Sequence, residues 1–426
     1  MSGCEAKVPA LRFKGYPAGN AEKAEGGRLP SNTGGRARTP VALWKRNRFG
    51  EIATRKSTMG NAVALPRVEY EDVIPFSGFF NNDIFAKPSD KIGVQFSEGD
   101  VLFGKLRPYL GNWILAEFKG LAVGDWWVLR PKGIDSEFLY TLIQSPSFQD
   151  VANQSSGSKM PRADWSLVSE TFFSCPNDPV EQRRIGSLFR SLDALIAGRE
   201  KSLDKLEALK KSMLLKMFPQ GDATVPEVRF KGFAGDWEKK RLGDIGFPYN
   251  GLSGKCKDDF GHGKGRYVTY MNVFSNPIAK TDQCDAIEID KSQNEVKTGD
   301  VFFTTSSETP EEVGMSSVWM GDAPNVYLNS FCFGYRPKPG NVSEFLAYLL
   351  RANGFRKAMT FLAQGISRYN ISKTRVMDLT ILLPDKFEQQ KIGAYFRSLD
   401  VLLAARREEI GKLKQMKKAL LERMFV

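Results

Sequence analysis

The sequence holds one histidine, His262, and five cysteines, Cys4, Cys175, Cys256, Cys284 and Cys332, none of them in CxxC spacing. That scarcity argues against a zinc site built from His/Cys clusters and against a histidine general base. An odd, scattered set of thiols is the pattern of a reducing cytoplasm, not of a disulfide framework. No run approaches the roughly 20 apolar residues of a membrane helix, and the N-terminus lacks a hydrophobic signal region. The expected location is therefore cytoplasmic, with no membrane partner. Catalytic signatures are missing as well. "GLSGKCK" at 251–257 lacks the spacing and the Ser/Thr of a phosphate loop, and "GHGKG" at 261–265 has no GxGxxG continuation. In "PDKFEQQK" at 384–391, Glu388 and Lys391 lie one residue too far apart for an ExK nuclease pair, and Asn276-Pro277 lacks the Pro-aromatic pair of an amino-methyltransferase. The expectation is a recognition protein with no catalytic or metal-binding residues.

The chain has a net charge of +12 over 426 residues, which invites a polyanionic partner. The charge is uneven: residues 1–66 carry +8, residues 181–218 and 388–425 carry +4 each, and the rest sums to −4. Any contact with nucleic acid must then come from local patches.

What the sequence does have is itself, twice. "EQRRIGSLFRSLD" at 181–193 returns as "EQQKIGAYFRSLD" at 388–400, identical at nine of thirteen positions. "KKSMLLKMF" at 210–218 returns as "KKALLERMF" at 417–425, "GDVLF" at 99–103 as "GDVFF" at 299–303, and "RFKG" at 12–15 as "RFKG" at 229–232. "RPK" at 130–132 and "SEFLY" at 136–140 also recur, at 336–338 and from Ser343. The order of matches holds while their offset drifts, so one fold is used twice with loops of different length.

In each copy the repeated phrase opens an apolar 3-4 seam. Ile185, Phe189, Leu192 and Ile196 begin the first, and Ile392, Phe396, Leu399 and Leu403 the second. Sustained over five heptads, such a seam predicts helices packed knobs-into-holes. A helix of about 38 residues would span roughly 57 Å. Arg199 and Lys210, and their counterparts Arg406 and Lys417, interrupt the seams. Pro219 is expected to end the first helix and open a short linker. Short β-rich runs such as "DVLFGKL" and "DWWVLRP" precede a helix expected over 136–153 in the first copy and 343–363 in the second. The Gly-, Pro- and Arg-rich stretch 17–43 has no counterpart and is expected to be a disordered surface insertion. The expected division is 1–180, a helix over 181–218, a linker over 219–224, a second body over 225–387 and a helix over 388–426.

This order of body, "EQxxIGxxFRSLD" helix, body and helix resembles the specificity subunit of type I restriction–modification systems. The loops "GDVLFGKLRPYLGN" at 99–112 and "GDVFFTTSSETPEEVGMSSV" at 299–318 strengthen the likeness. The resemblance implies an α+β protein with two α/β target-recognition domains in pseudo-twofold repeat, separated by two long antiparallel coiled-coil helices. It implies that each domain reads half of a bipartite, asymmetric double-stranded DNA target. The helices would set the half-site spacing and dock two modification subunits, with restriction subunits added. S-adenosylmethionine, ATP and Mg²⁺ would be used by those partners, with no cofactor in this chain. A methylation-only or type II-like complex, and a coiled-coil scaffold without a nucleic-acid role, are the alternatives.

Residue type and loop position nominate the DNA contacts. In the first copy these are Lys105, Arg107, Tyr109 and Asn112, and Ser158, Lys159 and Arg162 in a second loop. Cations suit phosphates or guanine, and an Asn amide suits adenine. In the second copy they are Thr304, Thr305, Ser306 and Ser307, and then Ser367, Arg368, Tyr369 and Asn370. The eight seam residues named above are the expected seam and subunit-docking set.

Overall fold

Both copies of the repeated "GDV" fold into the same device. The φ values of Gly99 (+82°) and Gly299 (+89°) lie in the left-handed region, where glycine alone is unstrained. The turn lets Asp100 and Asp300 accept from the backbone N–H of Ser97 and Lys297, each at 2.8 Å. A buried strand follows, Val101–Gly104 in one copy and Val301–Thr304 in the other. Arg130 grips Asp100 bidentately at 2.8 and 3.0 Å, and Arg336 grips Asp300 at 2.8 and 2.7 Å. A computed structural model of the chain describes residues 9–14, 44–86, 90–154 and 160–425. The insertion expected at 17–43 lies outside the described residues.

The chain forms two units, Met1–Ser202 with Arg407–Val426, and Leu203–Arg406. In the first, a sheet orders the strands Ala53–Lys56, Trp126–Pro131, Val101–Gly104 and Trp113–Leu115. A second four-stranded sheet and two two-stranded ribbons, Trp44–Arg48 against Phe172–Pro176 and Val73–Ile74 against Phe79–Phe80, accompany it. In the second unit the main sheet orders Gly246–Asn250, Cys332–Pro337, Val301–Thr304, Ser316–Trp319 and Ile278–Ala279. A three-stranded sheet and the ribbon Glu238–Arg241 against Thr380–Leu383 accompany it. Helices and sheets together make the fold α+β, as the sequence leads one to expect.

The single helix expected over 136–153 is two, Ser136–Leu142 and Pro146–Ala152. Ser145 caps the second by accepting from the Phe148 N–H, and Pro146 sits where its missing N–H costs nothing. The helix expected over 343–363 likewise divides into Ser343–Leu349 and Asn353–Phe361, because Ala352 is extended (ψ 154°).

The two long helices run Pro179–Lys216 and Lys386–Met424. The first ends before Pro219, because Met217 and Phe218 turn into the core of the second unit. Each repeated residue of "EQ..IG..FR.LD" has a job that recurs. Glu181 and Glu388 take bidentate bonds from Arg12 and Arg229 of the two "RFKG" phrases. Gln182 accepts from Asp135 N–H and donates to Pro176 C=O, tying the helix to its body, and Gln389 does the same with Val342 and Pro384. At Gly186 a Cβ would stand 2.4 Å from Glu137 Cβ, and at Gly393 it would stand 2.9 Å from the Phe345 nitrogen. Only glycine admits the crossing helix. Arg190 pairs with Glu117 and Arg397 with Glu344.

Asp193 and Asp400 complete the pattern. Lys417 meets Asp193 at 2.5 Å, and Lys210 meets Asp400, so the two lysines that interrupt the seams pair with the aspartates of the repeated phrase. Tyr140 and Tyr348 also donate to those aspartates, at 3.5 and 2.8 Å. Within the first unit, Asp193–Lys417, Glu200–Lys414 and Arg199–Glu409 place the two helical stretches antiparallel. Within the second, Lys210–Asp400 and the stacked rings of Phe218 and Phe396, 5.8 Å apart, do likewise.

The docking part of the seam expectation is corrected. Ile185, Phe189, Leu192, Ile196, Ile392, Phe396, Leu399 and Leu403 are each at most 8% exposed. Buried side chains of this kind are not themselves available to dock another subunit.

Candidate nucleic-acid interface

Two loops nominated separately in each copy come together in the structure. In the first unit, Leu106 and Arg162 form an antiparallel bridge. Ala163 N–H donates to Lys105 C=O at 2.8 Å, and Arg107 N–H donates to Pro161 C=O at 2.7 Å. In the second unit, Ser306–Ser307 pairs with Tyr369–Asn370, and Ile371 N–H donates to Thr305 C=O at 3.1 Å. Backbone bonding therefore fixes the same loop pair twice, with different side chains on it.

In the first pair, Lys105 and Arg162 converge on one carboxylate, Asp125, at 3.3 and 3.1 Å. Burial raises the Asp125 carboxyl, but hydrogen bonds from Arg162 and Lys105 outweigh it and hold the group below the usual aspartate range. Tyr70 braces the loop: its hydroxyl donates to Asp125 C=O at 2.6 Å and accepts from Leu106 N–H at 3.0 Å. Arg107 is left-handed, with φ +49°, and its buried Nε has no hydrogen-bond partner. A non-glycine residue is uncommon in that region, so the surrounding bonds hold the backbone there. Tyr109 stands 52% exposed at the tip. Asn112 is corrected: it is buried beneath Gly104, with its carbonyl bonded to Gly104 N–H, so its amide is not presented to a base. Ser158 and Lys159 lie outside the described residues.

In the second pair, Arg368, Ser367 and Asn370 are exposed, and Tyr369 and Ser306 are half-buried. Thr305 is half-buried, and its hydroxyl donates to Phe331 C=O at 2.9 Å. Thr304 is corrected, being fully buried with its hydroxyl accepting from Met315 N–H at 3.0 Å. Ser307 is also buried, donating to Thr309 C=O. Both follow from the strand geometry, which turns these hydroxyls inward, and neither belongs to the exposed edge. Tyr270 takes the place of Tyr70, its hydroxyl donating to Ser306 C=O at 2.7 Å.

Sequence reading missed Asp125, Tyr70, Tyr270 and Phe331. Tyr70 and Tyr270 each open a short helix, and Asp125 and Phe331 each precede a strand, outside the polar loops. The recurring spacing of Tyr70 and Tyr270, before the two "GDV" phrases, was the available signal. Among the described residues no group of three His, Cys, Asp or Glu could hold a metal ion, and no helix is long and apolar enough to cross a membrane.

Residues 234–415 match the family model described as type I restriction modification DNA specificity domain. The chain is 23% identical over 321 residues to the type I restriction enzyme MjaVIII specificity subunit of Methanocaldococcus jannaschii, covering 67% of this chain and 68% of that one. The chain thus carries a type I DNA specificity domain over residues 234–415 and is similar to type I specificity subunits over two thirds of its length. The matched residues take in the second unit's loop pair and much of the second long helix. The fold agrees with this family. The S subunit of a type I restriction–modification system from M. genitalium superposes with a TM-score of 0.57 at 14% identity, over 91% of this chain and 97% of that one. A chain from a structure of a type I R-M system, described for its complex assembly and conformational transition, gives 0.53 at 21% identity, over 90% and 97%.

Proposed function

We propose that this chain, as a specificity subunit, binds double-stranded DNA sequence-specifically, each unit reading one half of a bipartite target. In this reading it directs modification and restriction subunits to the site and carries no chemistry of its own. The observation that carries the reading is the loop pair built twice on the same backbone bonds with different side chains. A shared backbone scaffold fixes where the nucleic acid lies, and the differing side chains give two half-sites different sequences. Two modification subunits would supply methyl transfer from S-adenosylmethionine, and restriction subunits ATP- and Mg²⁺-dependent cleavage. Their docking falls on surfaces other than the eight buried seam side chains. Lys105, Arg107, Tyr109 and Arg162 are the candidate contacts in the first unit, with Thr305, Ser306, Ser367, Arg368, Tyr369 and Asn370 in the second.

The test exchanges residues 225–380 for the matching segment of a relative and maps methylated sites in cells carrying the whole complex. One half of the target should change and the other stay. A change in both halves would refute the one-unit, one-half-site reading. Absence of sequence-dependent duplex binding by the complex would favour a scaffold.

A further inference from the structure

Backbone bonds define equivalent positions in the two reading sites. Lys105 N–H donates to Asp125 C=O at 2.9 Å, and Thr305 N–H donates to Phe331 C=O at 3.0 Å. Each partner immediately precedes a central strand, Trp126–Pro131 or Cys332–Pro337. Position 125 in the first unit is therefore position 331 in the second, and the two residues are chemical opposites.

Asp125 is a partly exposed acid that holds Lys105 and Arg162 side by side. Phe331 has no such partners, and its ring is 62% exposed, an unusual state for a large apolar side chain. It lines a cavity of about 370 Å³ together with Tyr270, Met271, Ser306, Glu308, Glu312 and Arg368, so it stands beside two of the candidate DNA contacts, Ser306 and Arg368. Met271 beside it is 60% exposed.

Base edges in the major groove offer two kinds of handle. Guanine presents O6 and N7 to a cation, and the cytosine amine suits a carboxylate, whereas thymine alone presents a methyl group to an apolar side chain. We propose that positions 125 and 331 are where the two units part in base preference: Asp125 positions Lys105 and Arg162 for a G·C pair, whereas Phe331 takes the 5-methyl group of a thymine. This rests on the DNA-reading role proposed above and names what each site reads.

The experiment uses the assembled complex and its target, mapped by sequencing methylated DNA, with the half-sites assigned by the exchange of residues 225–380. Duplexes carry uracil for thymine in the second unit's half-site, or 7-deazaguanine for guanine in the first unit's. Loss of one methyl should weaken binding about fourfold, the worth of one buried CH₂-sized group. That loss should vanish in Phe331→Ala and persist in Phe331→Leu. Loss of N7 should weaken binding about fivefold or more, and Asp125→Asn should shrink the penalty. Specific binding that is indifferent to both base analogues, or penalties unchanged in the variants, would overturn the assignment while leaving DNA reading intact. No sequence-specific binding at all would instead remove the DNA-reading role on which it rests.

Discussion

Arg12 and Glu181 lie 169 residues apart and meet through two hydrogen bonds, 2.7 and 2.5 Å, with both side chains almost fully buried. Arg229 and Glu388 repeat the arrangement at 2.7 Å in the second unit. Removing one partner of a buried pair strands the other charge, at about 3–5 kcal/mol. Glu181→Ala should therefore lower the stability of the first unit by that amount, and Glu388→Ala that of the second. Denaturant melts that follow each unit separately would show this, and a loss below about 1 kcal/mol in either would contradict it.

Glycines in the long helices should divide sharply. Gly186→Ala drives a Cβ into Glu137 at 2.4 Å and should cost about 1–3 kcal/mol or more as overpacking. A Cβ on Gly198 or Gly411 meets nothing within 4 Å, so alanine there should stabilise by about 0.5–1 kcal/mol. Thermal melts of the three variants test the contrast. Equal shifts would mean that the close helix crossing is not maintained in solution.

Phe425 packs 5.5 Å from Phe138 and 6.2 Å from Phe189 in the first unit. Phe425→Ala should cost that unit about 3–5 kcal/mol, as for other buried aromatics, and leave the second unit's melt in place. Hydrogen exchange resolved by residue would locate the loosened region. Protection lost mainly in residues 225–380 would be the wrong outcome.

Lys417→Met leaves Asp193 buried without its cation, at about 3–5 kcal/mol near neutrality. Burial already raises the Asp193 carboxyl beyond what Lys417 and Arg190 pull it down. In the variant its folded pKa rises further, so its contribution is most favourable below the unfolded value of about 3.9. It is lost as pH rises through the folded value. The deficit relative to wild type should shrink as pH falls through the raised folded value, and a pH-independent deficit would rule out this account.

Duplex binding should separate the exposed candidates from the buried ones. Arg368→Ala should lower the slope of log affinity against log salt by about one if the side chain holds a phosphate. Thr304→Val should leave affinity unchanged and cost about 1–3 kcal/mol of stability, because Met315 N–H loses its acceptor. Titrations of the complex at several salt concentrations, with melts alongside, distinguish the two.

The repeat, the long helices and the two loops of each copy were legible in the sequence, since apolar periodicity and self-similarity are local signals, but the pairing of those loops was not, because it joins segments far apart in the chain. The reason for the repeated Glu, Gln and Asp was not, because their partners Arg12, Asp135 and Lys417 lie far along the chain. Asn112 and Thr304 read as surface polar residues, but the strands beside them turn both inward. Asp125 escaped notice because an acid is a poor candidate on a DNA-facing loop until two cations are seen to share it.

The first unit draws Leu421, Met424 and Phe425 from the last stretch of the second long helix. On a ribosome, residues 44–202 emerge early yet must wait for those side chains until the second unit has already been made. Of the two units, the one begun first is thus completed second. During translation its apolar face around Trp44, Phe138 and Phe189 stays open until Leu421, Met424 and Phe425, made after the second unit, close it.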